Sequence, residues 1–239
     1  MTRKLLRKHF PSICFLALCL VLLTGSTLAV DTPEIIGQLH VGDGKLMDAS
    51  GQPVQLRGLS THGLIWFPDF ISEELFQQLS EEWGVNLVRL AMYSDLYCGD
   101  EQEESLALMK KGIDAAISSG LYVLVDWHIL EDSDPNQNAD EAIDFFNQIS
   151  AEYAGIPNLL YEICNEPNGD TNWGDILEYS SRVIPVIRAN SPEAIIIVGT
   201  PNFDQNLSGA VLRPIPFDNV MYTLHFYAAT HSEDLMGEL

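Results

Sequence analysis

Asn165-Glu166-Pro167 follows the apolar run Leu159-Leu160-Tyr161-Glu162-Ile163. Pro167 has no N–H for a strand ladder, so it ends the strand and leaves Glu166 at the rim on a rigid element. A carboxyl held there suits general acid/base chemistry. The neighbouring Asn165 amide has donors for a sugar hydroxyl or to orient a carboxylate. Arg89 lies inside Leu87-Val88-Arg89-Leu90-Ala91-Met92, where a guanidinium must pair with carboxylates or bear its desolvation alone. Such an Arg can hold a catalytic carboxylate ionised. In Asp126-Trp127-His128 the two polar residues share strand parity, so an Asp–His pair that fixes the imidazole tautomer is expected. His225 and Tyr227 share parity in the same way after a later run. His62 stands near Trp66, Phe67 and Tyr93, and aromatics exposed at a rim suit the apolar faces of sugar rings. Each residue has a plainer reading: a surface Glu, a structural ion pair, a satisfied core histidine, a core aromatic. Their joint placement at the ends of several apolar runs favours a site.

The elements that must position these groups alternate. A hairpin is expected over Gln38–Val54, around Gly42-Asp43-Gly44. Strands are expected at Val54–Leu59, Leu87–Met92, Leu121–Trp127, Asn158–Ile163, Ala194–Val198 and Val220–Phe226. Between them run helices. Ser72 caps one that Gly84 ends. Asp100 and Glu103 resemble a capping box for the next. Asn138 and Glu141 open a third, and Trp173–Ala189 forms a fourth that Pro185 should kink or shorten. Strand–helix alternation implies parallel pairing with right-handed crossovers. A doubly wound sheet and a (β/α)8 TIM barrel both fit. No glycine-rich phosphate fingerprint follows the first strand, which weakens the nucleotide-binding version. His62, Tyr93, His128, Glu166, His225 and Tyr227 all fall at C-terminal strand ends, the catalytic rim of a barrel. Six βα-type strands are present where a barrel has eight, so the α/β barrel is incomplete in this chain.

Composition narrows the partners. Lys and Arg number 12 against 34 Asp and Glu, a net charge of −22. This excludes a basic nucleic-acid binder and argues against docking on anionic lipid. Residues 1–29 read as a signal peptide: Arg3, Lys4, Arg7 and Lys8, then an apolar run, then small residues ending at Ala29. The run is short for a membrane span. Removing the leader's four basic residues leaves 8 basic against 34 acidic, or −26, over a single domain, residues 30–239. A secreted protein (extracellular or periplasmic) with a neutral partner and no stable membrane association is expected. Cys98 and Cys164 do not make a disulfide framework. Asn206-Leu207-Ser208 fits a glycosylation acceptor.

Taken together, the motifs resemble glycoside hydrolase family 5, in particular bacterial endo-β-1,4-glucanases (cellulases). The resemblance covers nearly all of Gly37 to Asp234. It rests on Leu59-Ser60-Thr61-His62-Gly63-Leu64, Asn86-Leu87-Val88-Arg89, Val125-Asp126-Trp127-His128, Tyr161-Glu162-Ile163-Cys164-Asn165-Glu166-Pro167 and Tyr222-Thr223-Leu224-His225-Phe226-Tyr227. It implies a (β/α)8 barrel and retaining hydrolysis of β-glucan, with no metal or organic cofactor. Glu166 then looks like the acid/base. Arg89, His128, Asn165, His225 and Tyr227 match surrounding active-site positions, and His62, Trp66, Phe67 and Tyr93 match positions lining glucose subsites.

The resemblance also implies a nucleophilic Glu after a seventh strand, which is expected beyond position 239, so the 239 residues alone should be inactive or impaired. Glu238 falls too soon after His225 to take that role. A subsite Trp after an eighth strand is missing as well. Other readings are a mannanase or xyloglucanase of the same family, a non-catalytic glucan-binding fragment, and a metal-dependent hydrolase using His62, His128 and His225. The last lacks the usual His spacings. A monomer is expected.

Overall fold

The computed structural model describes residues 37–229 and 231. The hairpin comes first, with β1 (His40–Gly42) antiparallel to β2 (Lys45–Met47). Six parallel strands follow in sequence order: β3 (Gly58–Ser60), β4 (Leu87–Tyr93), β5 (Tyr122–His128), β6 (Leu159–Glu162), β7 (Ile196–Val198) and β8 (Val220–Tyr222). Each pairs with its neighbour in the chain. The crossovers contain α1 (Glu73–Trp83), α2 (Ser94–Cys98), α3 (Gln102–Ser118), α4 (Ala139–Glu152) and α5 (Trp173–Asn190). This is a partial (β/α)8 barrel of six strands, as the polar residues at the strand ends predict. The expected leader (1–29) and Glu238 lie outside the described residues.

Strand parity assigns each side chain to one of two cores. Val88, Leu90 and Met92 of β4, Val123, Val125 and Trp127 of β5, and Leu159 and Tyr161 of β6 face the helices. There they join Met109, Ile113, Phe145, Phe146, Ile149, Tyr179 and Ile187. The alternate positions face the barrel axis. Leu87, Tyr122, Leu124, Leu160, Ile195, Ile197 and Met221 form an apolar layer plugged from below by Leu39, Val41 and Leu46 of the hairpin segment. The next inward positions up the same strands are Arg89, Asp126, His128 and Glu162. One alternation therefore fills the floor and carries the polar groups to the rim.

Several local expectations hold with visible causes. The Ser72 side chain accepts a hydrogen bond from Leu75 N at 3.3 Å, and Gly84 ends α1 at φ 66°. Helix α5 starts on a full capping box of Asn172 and Asp175 and, against expectation, is not shortened by Pro185 but runs through it to Asn190. Others are corrected. The N-cap of α3 is Glu101, without a side-chain bond, so Asp100 and Glu103 form no capping box. The first barrel strand starts at Gly58 rather than Val54; Val54 and Leu56 instead pack into the floor. The sixth ends at Tyr222, four residues short of Phe226, and His225 N donates to Asp204 O rather than to a ladder. The short helix α2 has no counterpart in the sequence reading. Among the described residues, no helix is long and apolar enough to cross a membrane.

Candidate active site

Arg89 is the hub of the inward layer. Its Nε donates to Glu162 Oε2 at 2.7 Å, and Nη2 lies 3.2 Å from Glu162 Oε1. Nη2 also reaches Asp126 Oδ2 at 2.9 Å and Asn165 Oδ1 at 2.8 Å, and Nη1 donates to Ser60 Oγ at 3.1 Å. Burial alone would lower the guanidinium's pKa, but the Asp126 and Glu162 carboxylates overrule it and raise it. Glu162 is itself pushed upward, first by full burial, with Arg89 pulling the other way. The carboxylates that Arg89 holds are thus Glu162 and Asp126, whereas the sequence reading left its partner unnamed. Glu162 could have been found from sequence: it shares parity with Leu160 inside a buried run, so a cation had to meet it.

Asp126 carries a second load. Its Oδ2 lies 2.7 Å from His128 Nδ1, the expected Asp–His pair. With Nδ1 so engaged, Nε2 is the nitrogen left for other partners.

Glu166 sits above this layer. Its backbone carbonyl accepts from Asn168 Nδ2 at 2.9 Å, and the same Nδ2 donates to Leu130 O at 3.0 Å. That clamp, with Pro167, fixes the turn. The Glu166 side chain is one-fifth exposed, and its Oε1 lies 2.7 Å from His225 Nδ1. Asn165, by contrast, is buried. Its Nδ2 donates to Ile129 O at 3.0 Å while its Oδ1 takes Arg89, so it ties the Glu166 strand end to the Arg89 hub. Tyr227 is 73% exposed and shares a cleft with Ser60, Arg89, Glu166 and His225. A further group escaped the sequence reading. Asp204, in an irregular stretch without periodic signal, is fully buried with Oδ2 3.4 Å from His225 Nδ1.

An aromatic surface lies at the C-terminal ends of β3, β4 and β5, with Tyr93 in electrostatic reach of Glu166. The rings of His62 and Tyr93 stack with centroids 5.6 Å apart. Trp66 meets Tyr93 edge-on at 4.8 Å, and Tyr93 meets His128 at 4.2 Å. Phe67 approaches His62 at 6.0 Å. Trp66 and Phe67 are each about half exposed. Such a surface offers π-faces beside polar tips, which suits a ring with an apolar face and peripheral hydroxyls. His62, His128 and His225 each engage a separate partner, and no cluster of three His, Cys, Asp or Glu suited to a metal occurs among the described residues.

Comparison with known proteins shows the family. The profile of Cellulase (glycosyl hydrolase family 5) matches residues 47–236. Endoglucanase A of Butyrivibrio fibrisolvens is 45% identical over 201 residues, covering 82% of this chain and 46% of its own. An endoglucanase of Clostridium saccharobutylicum is 43% identical over 213 residues, covering 87% and 47%. The chain thus spans about half the length of the curated relatives it matches. Among solved structures, the endoglucanase catalytic domain of Thermobifida fusca in complex with cellotetraose superposes with a TM-score of 0.81 at 39% identity. That match covers 85% of this chain and 69% of the other. With its profile match and its relatives in agreement, the chain belongs to glycosyl hydrolase family 5, the cellulase family.

Proposed function

We propose that the protein is an endo-β-1,4-glucanase that cleaves internal bonds of cellulose or a related β-glucan with retention, Glu166 being the acid/base. The observation that carries this is the one partly exposed carboxyl of the cluster. Glu166 is held on a clamped strand end, 2.7 Å from His225, with Tyr93 of the aromatic face in electrostatic reach. As an acid, Glu166 delivers its proton to the glycosidic oxygen as the bond to the anomeric carbon breaks. As a base, it takes a proton from the water that releases the sugar. His225 orients the carboxyl, and Tyr227 lines the same cleft. His128, tautomer-fixed by Asp126, faces sugar hydroxyls. Arg89 and Asn165 keep the layer beneath in register. His62, Trp66, Phe67 and Tyr93 bind glucose rings, in keeping with the bound cellotetraose named for the Thermobifida fusca domain.

Retention also needs an attacking carboxylate about 5–5.5 Å from the acid/base. Glu162, Asp126 and Asp204 are all essentially unexposed. Burial therefore keeps all three from a sugar. We therefore infer that the nucleophile comes from beyond position 239, and that residues 1–29 export the enzyme. The test is hydrolysis of a cellulose derivative, mannan and xyloglucan by an enzyme carrying residues 1–239. Reducing ends released fastest from the cellulose derivative, with a rapid fall in viscosity, support the assignment. Preference for mannan or xyloglucan would move it within the family. Retention on glucan without release of reducing ends would favour a binding fragment, a reading that the sealed carboxylates also favour for these residues taken alone.

A further inference from the structure

Below His225 lies a carboxyl group that this mechanism leaves unused. Asp204 has no solvent exposure. It ends a turn in which Asn202, Phe203 and Asp204 all have positive φ, at 61°, 57° and 60°. The turn is tied at both ends: Phe203 N donates to Pro167 O at 3.0 Å, and Asp204 O accepts from His225 N at 3.3 Å. It is thereby fastened both to the Glu166 turn and to the His225 strand end. Within it, Asp204 Oδ1 accepts from Thr200 N at 2.5 Å. Oδ2 is buried, has no hydrogen-bond partner of its own, and points at His225 Nδ1 from 3.4 Å. Three successive non-glycine residues in the left-handed region are held there against their own preference.

We propose that Asp204 is a positioning residue for the acid/base step, a buried second carboxyl at His225 Nδ1 that sets how the imidazole serves Glu166. The proposal rests on Glu166 being the acid/base. One nitrogen faces two carboxyl oxygens, Glu166 Oε1 at 2.7 Å and Asp204 Oδ2 at 3.4 Å. A single proton on Nδ1 serves either or is shared, and the charge on Asp204 decides the division. Burial drives the Asp204 carboxyl up to about 9, with the Thr200 amide pulling down, Glu162 and Glu166 adding to the rise and Arg89 opposing it. The buried Cys164 thiol also faces this carboxyl. Near neutral pH Asp204 is therefore uncharged, and the Nδ1 proton belongs to Glu166. When Asp204 ionises, a second anion competes for that proton and weakens the His225–Glu166 contact.

Nuclear magnetic resonance on the protein tests this without any turnover. The Asp204 carboxyl carbon and the His225 ring nitrogens are followed from pH 5 to 11. We expect both to inflect together near pH 9. In Asp204→Asn, whose side-chain oxygen still meets Thr200 N, the His225 inflection at that pH should vanish. In Asp204→Glu, which restores the acid, it should return. Titration of Asp204 in the ordinary carboxyl range would overturn the proposal, as would a His225 inflection that persists unchanged in Asp204→Asn. If neither variant folds, the wild-type pair of titrations still decides, since two nuclei moving at different pH values would refute the coupling. The outcome is separable from the assignment of Glu166 as acid/base, which fails if glucan cleavage survives its replacement.

Discussion

Arg89 shows how one side chain can order a site it does not complete. Its guanidinium is nearly sealed, and four groups converge on it: Glu162, Asp126, Asn165 and Ser60. Removing it strands two buried carboxylates, a loss typically of about 3–5 kcal/mol. Arg89→Met should therefore lower stability by that order in urea unfolding. Arg89→Lys should recover only part of it, because an ammonium cannot reproduce the paired bonds to Glu162. Asp204 gives the opposite sign. Its carboxyl is raised from 3.8 to about 9 on folding. The stability linked to its proton is complete below about pH 4 and is lost as pH rises towards 9. Asp204→Asn removes this dependence. Its urea midpoint should match the wild type near pH 4 and lie above it at pH 8.

These two residues also differ in how legible they were. A cation inside an apolar strand has few physical outcomes, so the pairing of Arg89 followed from sequence. The burial of Asp204 depends on a turn that gains its shape only where Pro167 and His225 meet it, and no local pattern encodes that. The Asp126–His128 pair was legible for a third reason: parity within one strand needs no tertiary information.

At the scale of elements, strand ends matter more than strand middles. Gly199, just after β7, packs against the Glu166 strand. A Cβ there would lie 2.3 Å from Cys164 O and 2.8 Å from Asn165 O. Backbone atoms cannot yield as a flexible side chain would, so Gly199→Ala should displace the Glu166 turn. The expected result is a kcat/KM loss of about tenfold or more, since small misplacements carry large catalytic penalties, with a modest fall in unfolding midpoint. Strands and long helices were read correctly where apolar periodicity was sustained. The errors fell where signals were short. The five-residue α2 is too brief to show periodicity. Val54 and Leu56 are apolar because they fill the barrel floor, and composition alone cannot separate that from a strand.

At the scale of the molecule, two properties stand out. The first is charge. A chain at −22 repels polyanions at long range, and salt screens that repulsion. KM for carboxymethylated cellulose should fall as salt rises from 10 to about 200 mM, while KM for a neutral β-glucan stays constant. The second is the sheet: among the described residues β3 and β8 each pair with a single strand. Beside β3, Leu59 and Phe70 stand exposed over an apolar groove against α1.

The account depends most on Glu166 as a proton donor, and the leaving group tests that directly. In an enzyme carrying residues 1–239, Glu166→Gln is compared with the wild type on β-glucan, whose leaving oxygen needs a proton, and on a dinitrophenyl cellobioside, whose leaving group does not. The bond-breaking step should slow by about 10²–10⁴-fold on glucan and by far less in the burst of dinitrophenolate. Equal losses on both substrates, or none on glucan, would contradict the assignment.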